Sequence, residues 1–263
     1  MRAVRVVSAS ALCVLLIGLG FPVPSAAQSS APDAPTHDAL SRIDSLRQAG
    51  AFEDALRRLD SLQARDGASA PVLWRRSLTR VDLAKTVEDT DDRTPLYERA
   101  LTDAEAALAA DSTSGNAHLA VAVAEGRLAL DAGTRERVRR SRAVKQHADR
   151  AIELDSTLAG AYHVRGRWHR EVDDLGFFER AIVKTVYGGL PEASSEQAVR
   201  DFRRALTLEE RAFHYLELGK TYELMDRPEE ARTAYEAALE GPTHDPFAPR
   251  YKDEARERLA DLD

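Results

Sequence analysis

FHYLELGKTYELMDRPEEARTAYEAALEG, residues 213–241, is the stretch whose reading decides the fold. Tyr215, Leu218 and Tyr222 recur at helical intervals, and so do Ala231, Tyr235 and Ala238, so each half carries one apolar face. Asp226-Arg227-Pro228 separates the halves, and proline suits the first turn of a second helix. The stretch therefore predicts two helices folded back on each other. Gly219 and Ala231 are small where the helices cross, and the aromatic rings fill the space between neighbouring hairpins.

Tyr215, Leu218, Gly219, Tyr222, Ala231, Tyr235 and Ala238 fill every position of the tetratricopeptide pattern W-x2-L-G-x2-Y…A-x3-F-x2-A, with tyrosine as the bulky aromatic. The pattern repeats upstream. AALAADSTSGNAH (106–118) and RAIELDSTLAGAY (150–162) share Asp-Ser-Thr and a small-residue start to the next helix. In one register, first helices begin near Pro71, Gly115, Ala159 and Ala212, and an earlier hairpin over 38–62 turns at Ala49-Gly50. The surplus over a standard repeat falls at 88–95 and 131–140, as longer loops or longer helices, and at about 172–194 as an insertion. After the loop THDPFAPR, Tyr251, Ala255 and Leu259 mark a last helix that covers the final repeat. The expected fold is all-α: a tetratricopeptide-like α-α superhelix over 38–263, of about four hairpins plus a C-terminal capping helix.

The start of the chain is different. Arg2 and Arg5 precede an apolar run from Val6 to Phe21, and Ser25-Ala26-Ala27 offers a small-residue cleavage site. Residues 1–27 thus read as a secretory signal peptide and 28–37, with two prolines, as a flexible leader. Cys13 lies within the apolar run and not at its end after a small residue, which disfavours a lipid anchor. Cleavage would leave a chain without cysteine, exported to the periplasm or beyond, with no later apolar segment of membrane-spanning length. The formal charge is -7, which opposes general affinity for nucleic acid.

AIELDS, GRWHREV, the Phe177-Phe178 insertion, GGLPEAS, the DFRRAL helix and the LGKTYELMDRPEEA hairpin together resemble the regulator of microtubule dynamics family. The likeness is strongest over Asp149–Leu262 and continues in layout back to about Asp38. It implies a helical-repeat scaffold without catalysis. Animal members are associated with microtubules and organelle membranes, and a chain that begins with an export signal meets neither.

The inner surface is the first candidate site. In such repeats the second, fifth, ninth and twelfth positions of first helices point inward, which gives Arg75, Asn116, His163, Arg167, Arg170 and Lys220. Converging Arg and Lys donors could clamp a carboxylate, such as a peptide C-terminus or an acidic segment. The alternative is that they pair with Asp82, Glu171 and Glu223. The insertion is the second candidate, with Phe177, Phe178 and Tyr187 at a binding lip. The spacing of Phe178, Ile182 and Thr185 favours an extra short helix that packs its apolar side back on the solenoid and shapes one wall of the groove.

Nothing in the chain points to catalysis or to a cofactor. His147, His163, His169, His214 and His244 show no metal spacing, and no nucleotide-binding or nucleophile motif occurs. The sequence thus describes a non-enzymatic scaffold that binds a protein or peptide in its concave groove, or else an assembly subunit of an envelope complex that uses the aromatic insertion and outer faces.

Overall fold

The computed structural model describes residues 37–262, the Phe177 side chain excepted, so the expected signal peptide and nearly all of the leader lie outside the described residues. The helices run α1 His37–Gln48, α2 Phe52–Asp66, α3 Ala70–Ala84, α4 Thr90–Ala110, α5 Gly115–Leu130, α6 Thr134–Leu154, α7 Ala159–Asp173, α8 Phe177–Tyr187, α9 Ser195–Leu208, α10 Ala212–Leu224, α11 Pro228–Glu240 and α12 Ala248–Asp261. The described residues contain no strand. Helices pair in order as α1/α2, α3/α4, α5/α6, α7/α9 and α10/α11, with α12 laid on α10 and α11. That makes five hairpins, one more than the expected count of about four, because 38–62 stacks on α3 as a full repeat.

Local chemistry explains the boundaries. Asp111 and Asp155 each accept hydrogen bonds from the backbone N–H (2.9 Å) and hydroxyl of the threonine two residues on, which makes Asp-Ser-Thr a turn that ends one helix and starts the next. Ser114 and Ser194 cap α5 and α9 through their hydroxyls. Asp226, at φ 56°, makes the α10–α11 turn before Pro228. The surplus residues go into helix length: α4 and α6 each have 21 residues.

Successive first helices touch (α1–α3, α3–α5, α5–α7, α7–α10), while successive second helices do not touch among the described residues. The stack therefore curves with its first helices inside. Small residues allow this. A Cβ on Gly219 would run into the ring of Tyr235, which is fully buried, and one on Gly166 would come within 3.0–3.2 Å of the Phe202 ring. Near the end of the chain the segment before α12 returns to the first hairpin. Phe247 stacks on Phe52 with ring centroids 5.7 Å apart, and the Lys85 ammonium lies 4.8 Å from the Phe247 centroid. The curve is closed across its concave side.

Gly219→Ala should cost about 1–3 kcal/mol of unfolding free energy by overpacking. Gly126→Ala, inside α5 with a Val144 methyl 3.7 Å from the added carbon, should instead hold or gain up to about 1 kcal/mol. Urea denaturation of the two variants checks the contrast.

Candidate interaction site

The inner helices bring the expected cations together, and they bring acids with them. Glu217 of α10 is buried at 8% exposure. Its carboxylate lies 2.7 Å from Arg170 Nη2, 3.5 Å from Arg167 Nε and 3.5 Å from Lys220 Nζ. Arg170 also reaches Glu171 at 2.7 Å, Arg167 reaches it at 3.7 Å, and Lys220 pairs with Glu254 of α12. Burial pushes the Glu217 carboxyl up, but Arg167, Arg170 and Lys220 outweigh it and hold the group below the usual glutamate range. Self-pairing is thus the outcome for all three cations, around a glutamate that the inward register does not include. Of the acids expected as partners only Glu171 takes part: Asp82 holds Arg47 (2.6 Å) and Lys85 (2.7 Å), and Glu223 holds Arg258 (3.0 Å).

The remaining inner residues divide. Arg75 grips Asp44 of α1 with Nε and Nη2 at 2.9–3.1 Å and lies over the Trp74 ring, so it fastens the first hairpin to the second. Asn116 is half-buried in the first turn of α5 and joins none of these pairs. His163 and His214 meet Nδ1 to Nδ1 at 2.9 Å, one ring donating to the other, with Phe213 edge-on to His163 at 4.8 Å. Burial pushes both imidazoles down, His214 to about 3 and His163 well below its ordinary value. The pair is neutral at pH 7.

The insertion departs from expectation. It does form a short helix, α8, ended by Gly188 and Gly189 with φ 76° and 82°, as the glycine pair predicts. Its apolar side does not pack back. Phe178, Ile182 and Val186 are 79%, 52% and 64% exposed, and only Val183 is buried. The physical reason is reach: the α8 backbone comes close to α6 alone among the helices, so Val183 finds a seat while the next stripe around the helix stays largely exposed. Phe177 Cα opens α8, but its side chain lies outside the described residues. Tyr187 is half-buried, and its carbonyl, with that of Gly189 (3.0 Å from Nε), accepts from Arg142 of α6. Arg180 binds the carbonyls of Asp173 (2.7 Å) and Leu175 (3.1 Å) at the other end. Two arginines therefore fasten the helix while its apolar stripe faces solvent.

With this architecture in view, the comparisons are specific. The profile described as regulator of microtubule dynamics protein 1-3 matches residues 39–263, which includes every helix from α2 to α12 and most of α1. The chain belongs to that family. Regulator of microtubule dynamics protein 3 of Xenopus laevis is 29% identical over 133 residues, covering 51% of this chain and 29% of its own length. Protein 1 of Mus musculus is 26% identical over 192 residues, covering 72% and 62%. The chain thus spans from under a third to about three fifths of these curated relatives. Among solved structures, a thermophilic TPR protein of Thermus thermophilus superposes with a TM-score of 0.59 at 19% identity, over 86% of this chain and 97% of that one. A tetratricopeptide repeat protein of Parabacteroides merdae gives 0.51 at 16% identity, over 83% and 70%. These two establish the α-solenoid fold of this regulator of microtubule dynamics family member.

Among its described residues there is no group of three or more His, Cys, Asp or Glu side chains placed to hold a metal ion, and no helix is long and apolar enough to cross a membrane.

Glu217→Gln should lower stability by about 3–5 kcal/mol, because three enclosed cations lose their shared anion; chemical denaturation reads this directly. The histidine pair sets a pH dependence. Both folded values lie below the unfolded value of about 6.5, so the unfolded chain takes up protons first and stability falls as pH drops below that point. Each histidine contributes a slope of up to about 1.4 kcal/mol per pH unit, continuing for His214 toward pH 3. Unfolding free energies at pH 7.5, 6.5 and 5.5 should trace this decline, and His214→Asn should flatten it.

Proposed function

We propose that this family member is a non-catalytic scaffold that engages another protein through α8. The observation that carries this reading is the stripe of Phe178, Ile182 and Val186, each more than half exposed, on a helix that Arg142 and Arg180 fasten at its two ends. Residues spaced four apart on one side of a helix are what an apolar groove on a partner protein accepts. Exposed apolar residues that form a contiguous stripe mark such contacts more often than scattered ones do. A lipid surface fits less well, because the chain carries a formal charge of -7 and anionic headgroups would repel it. The concave face supports recognition less, since Arg167, Arg170 and Lys220 already hold acids of their own.

The partner is then a protein with a helix-accepting apolar groove. Residues 1–27 support a setting outside the cytoplasm, so the microtubule role in the relatives' names is not carried to this chain. An assembly role in the cell envelope follows from the two features together.

The test is a capture experiment with mature protein from envelope extract, comparing the parent with Ile182→Ser/Val186→Ser and with Arg167→Glu. The α8 variant should lose its partner while its melting temperature stays within about a degree or two of the parent, since both side chains start exposed. Retention of the partner by the α8 variant and its loss by a folded Arg167→Glu protein would move recognition to the concave face.

A further inference from the structure

Because α4 and α6 do not touch, a cavity of about 550 Å³ opens between them, lined by Leu108 of α4, Ser112 of the turn, His118 of α5 and Gln146, His147 and Glu153 of α6. Two half-buried histidines meet on its wall. His118 Nδ1 and His147 Nδ1 are 2.9 Å apart, with ring centroids at 5.1 Å and planes tilted by 34°. No local spacing announces the pair, because its members sit on different helices, 29 residues apart.

The hydrogen bonds decide which nitrogen carries the proton. The Ser112 carbonyl accepts from His118 Nε2 at 3.3 Å, so His118 Nδ1 presents a lone pair and His147 Nδ1 donates to it. A ring N–H anchored on a backbone carbonyl is also what orients an imidazole for a metal ion and fixes its tautomer. Burial pushes both imidazoles below their ordinary value, so at pH 7 they are neutral, the form that ligates metals.

We infer that His118 and His147 form a two-imidazole site for a divalent transition metal ion of right-angled coordination, Cu(II) foremost, with water in its remaining positions. Spacing decides the geometry. Two nitrogens about 2.0–2.1 Å from one ion lie about 2.9 Å apart at right angles and about 3.3–3.4 Å apart at a tetrahedral angle. The observed 2.9 Å is the right-angled value, so the rings need only turn until both lone pairs converge, and α5 need not part from α6. Right-angled nitrogen coordination suits Cu(II) and Ni(II), whereas Zn(II) prefers the tetrahedral angle. As the ion takes both Nδ1 lone pairs, the His147 proton passes through solvent to Nε2 of the same ring, and no net proton is released. Hard cations find little here, since Asp149 is held by Lys145 and Arg165, and Glu153 by Arg150. The His163–His214 pair has the same 2.9 Å spacing and no comparable entry: His214 is fully buried, and Phe202 and Phe213 lie edge-on to His163.

The untagged mature chain, titrated calorimetrically at pH 7 with CuCl2, ZnCl2 and MgCl2 in a weakly chelating buffer, tests the site. One Cu2+ should bind per chain, with Zn2+ weaker by about tenfold or more and Mg2+ not bound. His118→Asn and His147→Asn should each weaken Cu2+ binding by about tenfold or more, while His244→Asn, at an exposed loop residue, should bind like the parent. Electron paramagnetic resonance of the parent with one equivalent of Cu2+ should show two imidazole nitrogens, a readout that stands even where a variant misfolds. The inference is overturned if Cu2+ does not saturate at one ion per chain, if Zn2+ binds as tightly as Cu2+, if the spectrum shows fewer than two imidazole nitrogens, or if both histidine variants fold and bind Cu2+ like the parent.

Discussion

The structure rests on an aromatic ring seated against a glycine. In the α10/α11 hairpin Tyr235 fills the space that a Cβ at Gly219 would take, and in the α7/α9 hairpin Phe202 does the same at Gly166. Both rings are fully buried. Close approach at that point sets how far each second helix leans on its first, and so how sharply the stack curves. The 21-residue α4 and α6 and the inserted α8 are variations that this contact tolerates, because they add length away from the crossing.

Curvature then decides the electrostatics. Side chains on the inner helices are crowded from several sides while still meeting water, and polar groups there need partners. Glu217 and Asp82 supply them, each holding more than one cation. Replacing such a cluster with apolar residues is often no less stable than keeping it, so its presence is better understood as fixing which helices face one another than as a large source of stability. Arg75 with Asp44 and Arg165 with Asp201, the latter bidentate at 2.8 and 2.6 Å, tie neighbouring helices in the same way.

The fold was legible because its signals are local. Helix starts near Gly115, Ala159 and Ala212 agree with the structure, since small residues and Asp-Ser-Thr turns act within a few positions of the boundary. The concave residues were legible only as a set of cations. Glu217 falls one residue after Leu216, the fifth residue of α10 and so a position that the inward register includes. Leu216 instead lies in the core at 1% exposure, so the inner face of this helix extends about 100° further round than the register allows. The outward stripe of α8 was not legible at all: an amphipathic pattern says that one side avoids water, and whether the covering surface belongs to the same chain depends on distances that no periodicity encodes.

The contact of Phe247 with Phe52 changes what kind of object the solenoid is. An open array of repeats is close to one-dimensional: each unit knows only its neighbours, the ends fray, and copies can be gained or lost through duplication. Joining the last segment to the first hairpin turns the row into a ring, in which residues about 200 positions apart in sequence become neighbours. A ring has a fixed circumference. Inserting or deleting one repeat would pull Phe247 away from Phe52, so the number of hairpins is locked by closure and variation is diverted to outward additions such as α8.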